Sequence, residues 1–311
     1  MSDLNSYPAG KHMVIIAGPT AVGKTTLAIQ LAQHFNTEII SADSRQFYKE
    51  LNIGTAAPLP EELSMVKHHL IGMLPLSAPY DVYRFENDVM HLSKTLFQQN
   101  NTVMLVGGSG LYINAVCHGI DEIPDPDPEL RNELNTIFNT QGIKPLREQL
   151  MLLDSEYYKK TDISNHKRII RALEVSITTG KPYSSFLNKK TVIRPFNIIK
   201  IGLKRDRNEL NEIINKRVDL MIKRGLETEA RSLYPFRKYN SLQTVGYKEF
   251  FDYFDGTCSR EKAIEKIKTN TRRYAKKQMT WFARDKDFYW FHPRETEIII
   301  DFIRKHTQQT F

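Results

Sequence analysis

The chain has 311 residues, is 41% hydrophobic and 26% charged, and carries a net charge of +8, with an isoelectric point near 9.2. That composition supports a packed core and excludes global disorder, and the length suits one large α/β domain with an addition, or two domains. Two cysteines, Cys117 and Cys258, exclude a disulfide framework and a four-ligand zinc site, and read as reduced thiols of a cytoplasmic protein.

Met1 to His12 has no apolar run after its charges, so no signal peptide is expected. No apolar stretch approaches the roughly 18 residues of a transmembrane helix, so a membrane protein is not expected. The basic excess favours a polyanionic partner such as nucleic acid, or is a solvated surface.

Met13–Ala17 (MVIIA) reads as a buried strand. Gly18 to Gly23 is a turn. A helix starts at Lys24, with Leu27, Ala28, Leu31, Ala32 and Phe35 on one face. Glu38–Ala42 is a second strand that delivers Asp43 at its end. Thr102–Val106 is a third; it runs through Gly107-Gly108-Ser109-Gly110 into a helix carrying Leu111, Tyr112, Ala115 and Val116. Strands alternating with helices predict a parallel, doubly wound sheet, with ligands beyond the strand carboxyl ends.

The character changes near Gly119. Three prolines fall within Asp121–Pro128, and Asp127-Pro128 starts a helix with Asp at the N-cap. Helices continue to Asn165–Thr179, which Gly180 and Pro182 end. Residues 119–195 therefore read as a helical insertion in the α/β domain. Phe196–Leu203 returns to the sheet, Asp206 and Glu209 form a capping-box pattern, Gly225 stops the next helix, and the rest is mostly helical.

Gly18-Pro19-Thr20-Ala21-Val22-Gly23-Lys24-Thr25 matches G-x-x-x-x-G-K-[ST]. Backbone N–H groups of such a turn curl around phosphate, the lysine adds a full charge, and Thr25 offers a hydroxyl to Mg²⁺. The motif implies a di- or triphosphate and does not single out ATP. No carboxylate follows the strand ending at Val106, where P-loop ATPases usually place one. Asp43 is the nearest well-placed acid, either a general base beside the phosphates or a turn and N-cap residue.

Seven segments in order, GPTAVGKT (18–25), SADSRQFY (41–48), IGTA (53–56), GGSGLY (107–112), RALE (171–174), TVGYKE (244–249) and TRRYAKKQMTWF (271–282), resemble the tRNA dimethylallyltransferase family. The resemblance implies a P-loop NTPase-like core with a helical insertion that swings over RNA. It implies transfer of a dimethylallyl group to the exocyclic amine of the adenine 3′ of the anticodon. The P-loop would hold dimethylallyl diphosphate with Mg²⁺, and the partner is the tRNA anticodon stem-loop, met by a monomer.

By the same resemblance, Asp43 is the catalytic base. Ser109 stands where Thr is usual, contacting the diphosphate and the substrate adenosine, and Arg217 reaches the diphosphate. Contacts to tRNA are expected from Asp43, Ser44, Arg45 and Gln46, from Lys167, Arg168, Ile169, Ile170 and Arg171, and from Arg131. Thr244, Val245, Gly246, Tyr247, Lys248 and Glu249 align with such a stretch too. So do Lys276, Lys277, Gln278, Met279, Thr280, Trp281, Phe282 and Ala283. Ala57 and Gly72 depart from a common Lys and Asp, and no function is assigned to either stretch.

Residues 261–284 hold eight Lys or Arg against Glu261 and Glu265. Ile264, Ile267, Tyr274 and Trp281 fit one face, interrupted by Thr271 and Gln278, so the basic side can meet phosphates or solvent. Trp281 and Phe282 are expected in the core. The rival readings are a P-loop kinase for a small metabolite, an enzyme that prenylates free adenine nucleotides, and a non-catalytic RNA-binding nucleotide switch.

Overall fold

A computed structural model describes residues 10–125, 127–187 and 192–308. Residues 1–9, most of the stretch read as lacking a leader, lie outside the described residues. The chain divides into two compact units, one made of everything up to His118 and from Ile193 onward, the other of Gly119–Val192. The sequence reading had placed the second boundary at residue 195.

In the first unit the elements run β1 (His12–Ala17), α1 (Lys24–His34), β2 (Ile39–Ala42), α2 (Pro60–Met65), β3 (His68–His69), α3 (Val82–Gln99), β4 (Thr102–Gly107) and α4 (Gly110–His118). The second unit holds α5 (Pro128–Gln141), α6 (Lys144–Leu153), α7 (Ser155–Lys160) and α8 (His166–Thr179). The chain returns with β5 (Asn197–Leu203), α9 (Arg207–Lys223), α10 (Leu226–Leu233), α11 (Lys248–Phe254), α12 (Arg260–Phe282), β6 (Tyr289–Phe291) and α13 (Thr296–Gln308).

The six strands form one parallel sheet in the order β3-β2-β4-β1-β5-β6, a P-loop NTPase-like core. β1 lies in its middle, buried at every position. Apolar residues point to both faces, as strands covered by helices require. One face packs Met13, Ile15 and Leu105 with Phe85 and Phe97 of α3. The other packs Val14, Ile16 and Met104 with Leu27 and Leu31 of α1. The ends of β1, β2 and β4 thus bring the P-loop, Asp43 and the Gly107–Gly110 turn to one edge of the sheet.

Two strands escape the sequence reading. β3 has two residues and β6 three, too short for a hydrophobic period to register. The capping box at α9 is half formed: Asp206 accepts from Asn208 N and Glu209 N, while the Glu209 carboxylate turns to Arg205. In the second unit Asp127 caps α5 as expected, while Asn165, expected as the first residue of its helix, is the N-cap of α8. Leu134, Leu146, Leu150, Ile169 and Leu173 form that unit's own core. No helix among the described residues is long and apolar enough to cross a membrane.

Candidate active site

After β1 the chain turns through Gly18–Gly23 into α1. The helix starts at Gly23 with no side-chain cap and no acidic residue in its first turn, so its leading N–H groups are available to an anion. Lys24 bends over the loop, its Nζ donating to the carbonyls of Gly18 and Pro19 at 3.0 and 2.7 Å. Loss of hydration pushes the Lys24 ammonium down to about 7, with Asp43 opposing that fall and Arg217 adding to it. Arg217, on α9, donates to Thr20 Oγ1 at 3.4 Å. Burial lowers its pKa as well, against the pull of Asp43 and Glu62. Two cations therefore converge on one phosphate-shaped loop, with Asp43 acting on both.

Asp43 leaves β2 as the first residue of a turn: its Oδ1 accepts from Arg45 N at 3.0 Å, and its carbonyl accepts from Gln46 N at 3.1 Å. The turn role and a place in the cleft coincide, because Asp43 also lines a cavity of about 380 Å³. Thr20, Ala21, Gly23, Lys24, Thr25 and Arg217 share that wall. Met221, Leu226, Val245 and Ile267 supply an apolar part of it. A volume near the lower end for small-molecule sites, polar at one part and apolar at another, fits a short amphiphilic anion.

Ser109 takes a different place. It is buried and is not among the cavity's lining residues. Its Oγ accepts from Ser44 N at 2.9 Å, and its N–H donates to Ala42 O at 3.2 Å. The hydroxyl thus locks the turn after β4 to the turn that carries Asp43. Gly18, Pro19 and Val22 belong to the cradle without lining the cavity.

Among the residues aligned with RNA contacts, the structure separates surface from interior. Arg45, Gln46, Thr244, Val245 and Gly246 line the cavity. Tyr247 and Glu249 are buried; Glu249 accepts from Gly246 N and the Asn270 amide, and Lys248 is exposed. On α12 the inward face is Ala263, Ile267, Ala275, Gln278 and Phe282. Phe282 is core as expected, but Trp281 is 41% exposed and Tyr274 43%, so the packed face is rotated from the one the sequence suggested. Lys276, Lys277, Thr280, Trp281 and Ala283 are exposed and Met279 is partly buried.

Three of the earlier cations of α12 are spent on neighbours: Lys266 on Asp252, Lys268 on Asp219, Arg272 on Asn215. Among the described residues the exposed Lys262, Arg273, Lys276, Lys277 and Arg284 have no ion pair, so the open basic surface lies mainly toward the end of the helix.

Gln278 interrupts the apolar stripe for a reason the sequence could not show. Its Oε1 accepts from Thr20 N at 2.8 Å and its Nε2 donates to Gly108 O at 2.9 Å. One buried amide thereby couples the P-loop to the turn after β4. A Cβ on residue 108 would sit 2.3 Å from that Nε2, which explains the glycine.

In the helical unit, Lys167 and Arg168 are exposed, whereas Ile169 and Ile170 are buried in its core, so their side chains cannot reach a partner. Arg131 grips the buried Glu174 with two hydrogen bonds, and Arg171 lies 3.6 Å from the same carboxylate and donates to Pro124 O. Arg131 is thus committed to the fold.

The comparisons agree with this arrangement. The profile of the family described as "IPPT: IPP transferase" matches residues 46–285. The tRNA dimethylallyltransferase 2 of Parabacteroides distasonis is 53% identical over 287 residues, 92% of this chain and 96% of that protein. The crystal structure of the full-length tRNA isopentenylpyrophosphate transferase of Bacillus halodurans superposes with a TM-score of 0.73 at 36% identity, covering 96% of this chain and 98% of that one. A eukaryotic dimethylallyltransferase acting on tRNA gives a TM-score of 0.75 at 28% identity, over 91% of this chain and 74% of that one. A P-loop paired with an acid after β2 and an α9 arginine, in a chain this similar along almost its whole length, places the protein in the IPP transferase family.

Proposed function

We propose that this prenyltransferase moves the dimethylallyl group of dimethylallyl diphosphate onto N6 of the adenine immediately 3′ of a tRNA anticodon, giving isopentenyladenosine. The observation that carries the reading is the convergence of Lys24, Arg217 and Asp43 on a single cavity that also has an apolar wall.

Lys24, Arg217 and the N–H groups at the start of α1 would hold the diphosphate and take up the charge that grows on it as the C1–O bond breaks. Such preorganised donors commonly make the largest catalytic contribution. The N6 lone pair forms the new C–N bond, diphosphate leaves with the C–O electron pair, and the proton lost from N6 passes to the Asp43 carboxylate. A carboxylate can only accept from the amine, so Asp43 also orients the acceptor. An adenine cannot be reached while stacked in a loop, so it enters the cavity flipped out. The exposed Lys276, Lys277 and Arg284 would meet tRNA phosphates, and the open face of Trp281 is suited to stacking on an unpaired base.

Magnesium fits this donor set. It keeps several waters and needs only one or two protein oxygens beside substrate phosphates. The Thr25 hydroxyl and the Asp43 carboxylate line the same wall, and no group of three or more His, Cys, Asp or Glu among the described residues forms a cage for a metal. Bound there, the ion would neutralise charge on the leaving diphosphate. The cytoplasm, where tRNA is modified, is the compartment this reading implies, and the enzyme would work as a monomer.

The test combines purified protein, Mg²⁺, dimethylallyl diphosphate and unmodified tRNA with adenine 3′ of its anticodon, followed by nuclease digestion and mass spectrometry. Isopentenyladenosine formed without ATP supports the reading. ATP hydrolysis without prenylation, or prenylation of free AMP alone, overturns it in favour of a small-metabolite kinase or a nucleotide prenyltransferase.

A further inference from the structure

Ile53–Ala56 is a segment to which the sequence gives no task, although Gly54, Thr55, Ala56 and Ala57 all line the cavity. The segment is held from two sides. Glu229, on α10, accepts from three successive backbone N–H groups, Asn52 at 3.3 Å, Ile53 at 2.8 Å and Gly54 at 2.9 Å. The same carboxylate accepts from the Tyr247 hydroxyl at 2.7 Å. On the other side, Gln46 donates its amide to the carbonyls of Thr55 and Ala56 at 3.3 and 3.2 Å. Three consecutive N–H groups aimed at one carboxylate form a fixed anion nest. Hydrogen bonds to an ionised acceptor are also the strong kind.

The contact is tight. A Cβ on residue 54 would lie 2.5 Å from the Tyr247 ring, and one on Gly246 would lie 3.8 Å from Gly54 O and 3.9 Å from a Leu226 methyl. Tyr247 is fully buried, with its ring against Gly54. Leu226 lies three residues before Glu229 on α10 and belongs to the apolar part of the cavity wall with Met221, Val245 and Ile267. The clamp therefore fixes Gly54 beside Gly246, which itself lies against Leu226 of the apolar wall, while Gln46 holds the carbonyls that follow.

We propose that Glu229, with Tyr247, is a positioning and specificity-determining pair: by pinning the 52–54 backbone it sets the depth of the apolar part of the cavity. That depth selects a five-carbon tail on the donor and rejects a longer one. The proposal rests on the prenyl-transfer reading above. A fixed wall excludes a longer tail by overlap, whereas a wall free to retreat admits it at little cost.

The experiment compares wild type, Glu229→Gln and Tyr247→Phe with dimethylallyl diphosphate and with geranyl diphosphate, a ten-carbon donor, at saturating tRNA. Glu229→Gln converts one acceptor oxygen into a donor that faces N–H groups. We expect its KM for the five-carbon donor to rise about tenfold, with kcat changed less than threefold, since the site loses one or two charge-assisted hydrogen bonds. The ratio of kcat/KM for the five-carbon over the ten-carbon donor should fall by a similar factor. Tyr247→Phe, which removes a single hydrogen bond and preserves the ring under Gly54, should shift both quantities in the same direction by about threefold.

A purely structural role predicts a lower melting temperature and a smaller active fraction with KM and the chain-length ratio unchanged; that result overturns the proposal. Should Glu229→Gln fail to fold, Tyr247→Phe alone decides, and an unchanged ratio in it overturns the proposal. If wild type makes no prenylated tRNA from either donor, the functional reading fails instead, which keeps the two failures apart.

Discussion

The cleft of the sheet unit and the helical unit each gather two basic side chains, and they treat them in opposite ways. In the helical unit the buried Glu174 takes two hydrogen bonds from Arg131 and has Arg171 3.6 Å away. There the carboxylate is already held by basic groups of its own unit. In the cleft, among the described residues, Lys24 is bonded only to carbonyls of its own loop and Arg217 only weakly to a threonine hydroxyl. Their ammonium and guanidinium are desolvated, and the pull of Asp43 on both, with Glu62 on Arg217, does not restore their ordinary pKa values. A cation that has paid desolvation without a bound carboxylate is prepared for an anion from outside. One arrangement belongs to the fold, and the other to a substrate.

Substitutions can break this contrast. The largest effect is expected at Asp43: Asp43→Ala should lower kcat by about 10²–10⁴-fold, the range for loss of a general base, while circular dichroism stays unchanged. Full activity in the folded variant would remove the proposed base. Arg217→Gln should lower kcat/KM for the donor by about 10²-fold and leave the melting temperature unchanged or raised, because it removes a desolvated charge. A fall in melting temperature with donor kinetics intact would place Arg217 with the structural arginines.

Glu174→Gln is the mirror experiment. It weakens the hydrogen bonds from Arg131 and removes the charge facing Arg171, and because both arginines are partly exposed it should destabilise the helical unit by about 1–3 kcal/mol, read by denaturant titration. An unaltered titration would mean that this ion pair is not what holds α5 to α8. The smallest effect is expected at the surface. Lys276→Ala should weaken tRNA binding a few-fold at low salt and reduce the slope of log affinity against log salt by about one. An unchanged slope would move the phosphate path away from the end of α12.

The sequence displayed the local parts of this contrast and hid the distant ones. β1, the glycine turn and α1 form one contiguous signal, so the cradle could be read directly. Asp127 and Asp206 were legible as caps because the N–H groups they serve lie two or three residues away. Glu229 looks like an ordinary surface residue of a short helix, because its partners are 175–177 residues away along the backbone at 52–54. Gln278 left a trace as a break in the apolar stripe, but its partners at Thr20 and Gly108 lie 258 and 170 residues away. For Ser109 the family pattern suggested a substrate contact, and what the sequence could not show is that its Oγ also accepts from Ser44 N, 65 residues away. Periodicity misplaced Tyr274 and Trp281 because an aromatic ring scores as apolar whether it faces a core or a cleft.

The most direct test of the contrast is the proton balance of donor binding. In the ligand-free protein the Lys24 ammonium titrates at about 7, and an adjacent diphosphate should raise that value. The lysine then binds best when protonated: affinity is full below pH 7 and declines as pH rises through the higher pKa of the complex, with protons taken up in between. Calorimetry of dimethylallyl diphosphate binding at pH 8, in two buffers of different ionisation enthalpy, measures that uptake. The account predicts net proton uptake in wild type that disappears in Lys24→Ala together with most of the affinity. Binding of equal strength in both proteins, with no proton exchanged, would contradict it.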